Sequence, residues 1–387
     1  MERKRSHSSQ RGSVIVVVLV TLMLAALMLV KFMEGSAVEL TLATRQADRQ
    51  RLRADAYSAL ETALAVMAEV KRIDKELNTP GQGWADPYAY AGETPREGVQ
   101  VEFSYVDESG KASLPNLGFE ELVELAQALG LGETDAKRFA DGLFVWMHEN
   151  HTPQELEAEA ANYERAAIPH QPPKRSLRSW DELRAVLVAR DYVYDPEDGT
   201  LTEFGRGFMD SVSLYDFKAS NVNALAPALG LARGWDPVQS TALTDYRLGK
   251  TGRPAGAPPW FRSMEDVTPL LGANADMAGL DATAKLVRVK VKVSEGAGVF
   301  SLEAWVADGD AVALPKAVEK PEPVTAGQPP ADATKPSASG REKRPGGGRE
   351  GTREETLKYP FRILQVVETS GPEPSSIPIE AEAEPIL

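Results

Sequence analysis

A chain of 387 residues is long enough for two or three domains, but a formal net charge of −14 and no basic cluster to exceed the leader argue against nucleic acid as a partner. The absence of cysteine removes disulfides, thiol nucleophiles and cysteine-held metals. Four histidines, no G-x-S-x-G and no P-loop leave no recognisable catalytic constellation.

A short leader, Met1 to Gly12, carries Arg3, Lys4, Arg5 and Arg11. Seventeen residues follow, Val14 to Val30, without charge and with Thr21 as the only polar side chain. As a helix that run is roughly 26 Å long, close to the ~30 Å of a hydrocarbon core. The basic flank predicts a cytoplasmic N-terminus, with everything after about residue 35 across the membrane.

No proline occurs from Ser13 to Thr79, and Gly35 is the only glycine. Leu52, Ala56, Leu60, Ala63, Leu64, Met67 and Val70 recur mostly at three- and four-residue steps. One helix of about 65 residues, near 100 Å, is predicted, ended by Pro80 and Gly81. A cleavable secretory signal competes with this, because Gly35-Ser36-Ala37 has the small-x-small form. The apolar run exceeds the usual ~7–15 residues of such a signal, and Lys31 and Glu34 stand between it and the site.

After a polar loop, Val99, Val101, Phe103 and Tyr105 alternate with polar residues and read as a half-buried strand. Short helices broken by Gly and Pro are expected from about Phe119 to Leu280. Within them Ala128-Leu129-Gly130-Leu131 recurs as Ala228-Leu229-Gly230-Leu231, each expected as the turn of a helical hairpin. Acidic residues after both turns favour packing units over phosphate-gripping ones. Trp146, Trp180 and Trp235 sit at apolar spacing and read as core. Val287, Val289, Val291 and Val293 alternate with basic residues, and Phe300 to Val306 form a second strand after a turn at Glu295-Gly296. Residues 311–356 hold almost no large apolar side chains and are expected to be disordered. A last strand is expected from Tyr359 to Val367, before an acidic tail.

A leader ending in glycine, an unbroken N-terminal helix and a sheet behind it resemble a type IV prepilin or pseudopilin. The segments Phe139 to Trp146, Ala158-Glu159 with Asn162-Tyr163, Ser179 to Leu183 and Ser220 to Asn223 occur in the order seen in general secretion pathway protein K, the large minor pseudopilin of type II secretion. The resemblance covers roughly residues 10–307. It implies an α+β fold in which a long N-terminal helix packs on a small antiparallel sheet, with a large all-helical insertion domain. The domains would be a leader (1–12), a transmembrane (13–31) and a periplasmic (32–78) part of the helix, and a loop with first strand (79–112). The helical insertion (113–281), a strand hairpin (282–310), an insert (311–356), a last strand (357–368) and a tail (369–387) follow.

The resemblance further implies cleavage between Gly12 and Ser13 by a prepilin peptidase, and assembly through a helix that includes Val17, Leu19, Leu22 and Leu24. Most pilins carry a glutamate at the fifth mature position, here Val17, and protein K-like members lack it; a carboxylate in lipid needs a partner, so its loss suits a subunit at the filament tip. The implied partners are other minor pseudopilins of the I and J types, the major pseudopilin, the peptidase and the inner membrane, with an exported protein or the outer-membrane secretin beyond them. Family members bind calcium in the helical domain. Val145, His148 and Asn150 stand at corresponding positions here, leaving Glu149, Asn150 and Glu159, a depleted oxygen set for an ion that takes about six to eight ligands. No other cofactor is implied. Two rivals are a type IV pilus minor pilin and a bitopic periplasmic metal-dependent hydrolase using His148, Glu149 and His151, whose histidines would share a helix face. A solvated helix end is the plainer reading of those three residues.

Overall fold

The computed structural model describes residues 10–154, 160–166, 168–250, 256–272, 274–314 and 360–371. Most of the leader, Glu159, residues 315–356 of the expected insert, the start of the expected last strand (357–359, with Tyr359) and 372–387 of the tail lie outside the described residues.

Helix α1 spans Gln10–Asp74, 65 residues. It ends short of the expected Pro80 stop, with Lys75 in the left-handed region (φ 73°). The reason is tertiary. Leu77 is buried and its carbonyl accepts from Ala284 N at 2.6 Å, while Gln82 Oε1 accepts from Asn78 N and Thr79 N. Those side-chain and long-range backbone bonds replace the last helical turn. Lys71 and Arg72 in the final turn suit the negative end of the helix dipole.

Four strands, β1 (Val99–Asp107), β6 (Leu286–Glu295), β7 (Gly298–Asp308) and β8 (Phe361–Ser370), form an antiparallel sheet in the order β1-β6-β7-β8. The register sets Val101 opposite Val293, Phe103 opposite Val291 and Tyr105 opposite Val289. It also sets Val291 opposite Leu302 and Val293 opposite Phe300. One apolar face results, and residues 52–70 of α1 lie across it in a common core.

Strand β8 continues to Ser370, beyond the expected end near Val367, because Ser370 pairs with Phe300 and Glu368 is held by α1. The first residues of the expected disordered insert are also packed. Val312 is buried with Tyr215 and Phe217, and Ala313 exchanges two backbone hydrogen bonds with Asp216.

A short helix, α2 (Pro87–Ala91), precedes β1, and between β1 and β6 lies the helical unit. Its elements are α3 (Phe119–Ala128), α4 (Glu133–Met147), α5 (Ala160–Glu164), a 3-10 helix (Trp180–Ala185), α6 (Ala189–Val193), α7 (Glu203–Ser211), α8 (Pro227–Ala232), α9 (Pro237–Arg247) and α10 (Met264–Leu271). They enclose a second core around Leu122, Phe139, Leu143, Phe208 and Phe261. Two parallel pairs of short strands tie the unit to its entry and exit, β2 (Ala112–Ser113) with β3 (Val212–Ser213) and β4 (Ser220–Asn221) with β5 (Leu280–Asp281).

The two copies of the Ala-Leu-Gly-Leu motif take different structures. Gly130, at φ 102°, makes the turn between α3 and α4. Gly230 lies inside α8, where a Cβ would come within 2.8 Å of the Trp235 ring, and the turn falls later, at Gly234 (φ 74°). A matching tetrapeptide does not specify a turn when a nearby tryptophan needs the glycine's empty space. Trp146 and Trp235 are core residues as expected, and Trp180, half-buried, packs on the same core from its edge against Phe208.

Candidate functional site

Three features stand out. The first is the free part of α1. Every side chain from Ile15 to Arg51 is exposed, and the first buried one is Leu52. Val17, Leu19, Leu22 and Leu24 are each more than half exposed. Thr21 Oγ1 donates back to Val18 O at 2.8 Å, so the one hydroxyl in the apolar run is satisfied inside the helix. Among the described residues this is one helix long and apolar enough to cross a membrane. The free rod is roughly 55 Å long, against ~30 Å of hydrocarbon. Gly12 and Ser13 belong to the first turn of α1.

The second feature is the end of α4, where the rival metal-site reading would set the histidines on one helix face. The helix stops at Met147 instead, and His148 is extended at its end. Lys174 closes the terminus by donating from its backbone N to Trp146 O (3.0 Å) and from Nζ to Val145 O (2.6 Å). Burial lowers the pKa of both Lys174 and His148. His148 stacks on Phe144 at 4.4 Å between ring centres, and His151 stacks on Phe119 at 5.7 Å. His151 Nε2 lies 2.6 Å from Oδ1 of Asp141, which is 1% exposed and accepts from Gln154 N with both oxygens. The histidines therefore anchor a loop to α4. Glu149 and Asn150 are both exposed. Among the described residues no three histidine or carboxylate side chains gather as a cation site.

The third feature escaped the sequence altogether. Asparagines from distant segments, Asn78 and Asn221 buried, Asn223 half-buried and Asn116 at the exposed rim, form a polar seam between the sheet and the helical unit. Asn221 Nδ2 donates to Asp107 Oδ2 (2.6 Å) and Asn78 O (2.8 Å), and Asn78 Nδ2 donates to Ala282 O (2.7 Å). Asn223 Nδ2 donates to Ala282 O (2.8 Å) and Phe261 O (2.9 Å). Asn116 Nδ2 reaches Ser113 Oγ, Asp216 Oδ1 and Phe217 O. Loss of solvent around the Asp107 carboxylate pushes its pKa up to about 6, against hydrogen bonds from Ser109 and Asn221 that lower it. Gly110 admits the seam's closest approach, since a Cβ there would stand 2.2 Å from Ala224 O. The only available signal was asparagine in Pro115-Asn116-Leu117 and Ser220-Asn221-Val222-Asn223, flanked by apolar residues.

Residues 106–195, from the end of β1 through α3, α4 and α6 to Asp195, match the family model for protein K of the type II secretion system (T2SS). The resemblance to protein K is shown there. Among solved structures the chain is similar to one from the GspK-GspI-GspJ complex of the enterotoxigenic Escherichia coli type 2 secretion system, at 16% identity and a TM-score of 0.48. The match covers 71% of this chain and 98% of that one. No curated protein matches the sequence.

Proposed function

We propose that this chain is a minor pseudopilin of the type II secretion system, whose work is assembly rather than chemistry. The prepilin peptidase cuts after Gly12. The apolar part of α1 holds the protein in the inner membrane, N-terminus in the cytoplasm and body in the periplasm, and then packs against other minor pseudopilins of the I and J types and the major pseudopilin. The helical unit sits at the pseudopilus tip, where it supports export.

The observation that carries this is the continuity of α1, one helix free on all sides from Ile15 to Arg51 and built into the sheet from Leu52 onward. Such a rod transmits position rigidly from bilayer to body, and its uncovered ~25 Å beyond the hydrocarbon gives neighbouring helices a surface to pack on. The protein K match over residues 106–195 supports the secretion assignment. Mass spectrometry of the mature N-terminus tests it, with Ser13 as the expected first residue and no processing when Gly12 is replaced by a bulky residue. A native chain beginning at Val38 would overturn it.

A further inference from the structure

A cleft of about 860 Å³ opens between the helical unit and the face of the sheet. Clefts of roughly 300–1,000 Å³ between structural units are where ligand sites concentrate. We propose that this one binds a neutral, hydroxyl-rich oligosaccharide.

Two tryptophans line it, Trp180 from the 3-10 helix and Trp305 from β7. Both are half-buried, whereas Trp84, Trp146 and Trp235 are at most 5% exposed. The indole N–H groups of Trp180 and Trp305 have no hydrogen bond to another described residue; those of the buried Trp84 and Trp146 lack one as well, so what sets the cleft pair apart is their exposure. Two large apolar rings with open donors are thus kept in contact with water, an arrangement a sugar ring's C–H face and hydroxyls satisfy together.

Charge narrows the ligand. Arg178, Asp181 and Asp210 line the cleft without an ion pair among the described residues. Glu108, buried, sits 3.1 Å from both Lys111 Nζ and Arg288 Nε, and the Arg288 guanidinium lies 5.7 Å from the Trp305 ring centre. Three positive and three negative lining charges cancel, so nothing favours a phosphate or an acidic peptide. A hydroxyl donates and accepts at once, and it can use carboxylate and guanidinium side by side. An extended peptide would need unpaired main-chain groups, and Trp305 belongs to β7, an inner strand paired on both sides. The cleft exposes the face of the sheet, not an edge.

The test uses the full chain in a phosphocholine detergent, since sugar-headed detergents would compete. A tetramer of β-1,4-linked N-acetylglucosamine, cellotetraose and an uncharged tetrapeptide are titrated, read by tryptophan fluorescence and saturation-transfer NMR. Binding of at least one sugar is expected, weakened about five- to tenfold by Trp180→Ala and by Trp305→Ala and largely restored in Trp180→Phe. Asp210→Asn, an exposed change that leaves packing intact, lowers affinity a few-fold. No sugar signal at about 10 mM, binding of the tetrapeptide alone, or equal affinity in all variants would each overturn the proposal. Because no partner subunit enters the assay, its failure leaves the assembly reading standing.

Discussion

From Ile15 to Arg51 every side chain of α1 is exposed, whereas from Leu52 to Val70 a ridge at three- and four-residue steps is at most 4% exposed. The backbone is the same uninterrupted helix in both halves. What differs is the distribution of apolar residues. In the first half they surround the axis through Val30, which suits lipid or other helices, and in the second they make one stripe, which suits a sheet. A continuous helix can therefore serve two solvents.

Exchanging the two environments would break that contrast most sharply. Leu60→Ala removes a 3%-exposed side chain between α1 and the sheet and is expected to destabilise the body by about 2–5 kcal/mol, measured by denaturant unfolding. Leu22→Ala, at 63% exposure, should leave that unfolding curve where it was. Leu22→Asp should instead cost roughly 2.5–3.5 kcal/mol of membrane insertion, seen as loss from the membrane fraction with unchanged near-ultraviolet dichroism of the body.

The seam comes next. Gly110→Ala forces its new methyl against Ala224 O, and a loss of about 1–3 kcal/mol is expected in the same unfolding experiment. Asn221→Ala leaves Asp107 Oδ2 and Asn78 O without the amide that donates to both and should cost a similar amount.

Acid separates two carboxylates with opposite signs. Asp107 has its folded pKa raised to about 6 from 3.8, so the folded chain binds the extra proton first, and its contribution to stability falls as pH rises from about 4 to 6. Asp107→Asn should flatten that slope. Glu368 is held down to about 2 by hydrogen bonds from Arg53 and Tyr57, so its contribution is present above its ordinary value of 4.5 and is lost as pH falls from there toward 2. The smallest effect belongs to this exposed pair. Arg53→Ala should loosen the end of β8 slightly, detected by faster amide exchange at residues 366–370, with the difference vanishing in high salt.

Much of the fold was legible along the chain. The uncharged run at 14–30, the stripe from Leu52 to Val70 and the alternating valines of β6 are patterns among near neighbours, and near neighbours suffice to specify helix, strand and the side that faces the core. Two expectations and the premise of one rival failed where a distant group intervened. The last turn of α1 gave way to Gln82 and Ala284, the second Ala-Leu-Gly-Leu was drawn into a helix beneath Trp235, and the histidines left α4 when Lys174 closed its end.

The sequence by itself determined an apolar N-terminal rod, a valine-rich sheet and a helical region between two of its strands, because periodicity is a local property of the chain. Only the tertiary structure decided the asparagine seam, the Asp141–His151 anchor and the cleft between Trp180 and Trp305. Asn221 meets Asp107 across 114 positions and Arg53 meets Glu368 across 315. A side chain's hydrogen-bonding partner is chosen by which segments the cores bring together, and no local pattern encodes that choice.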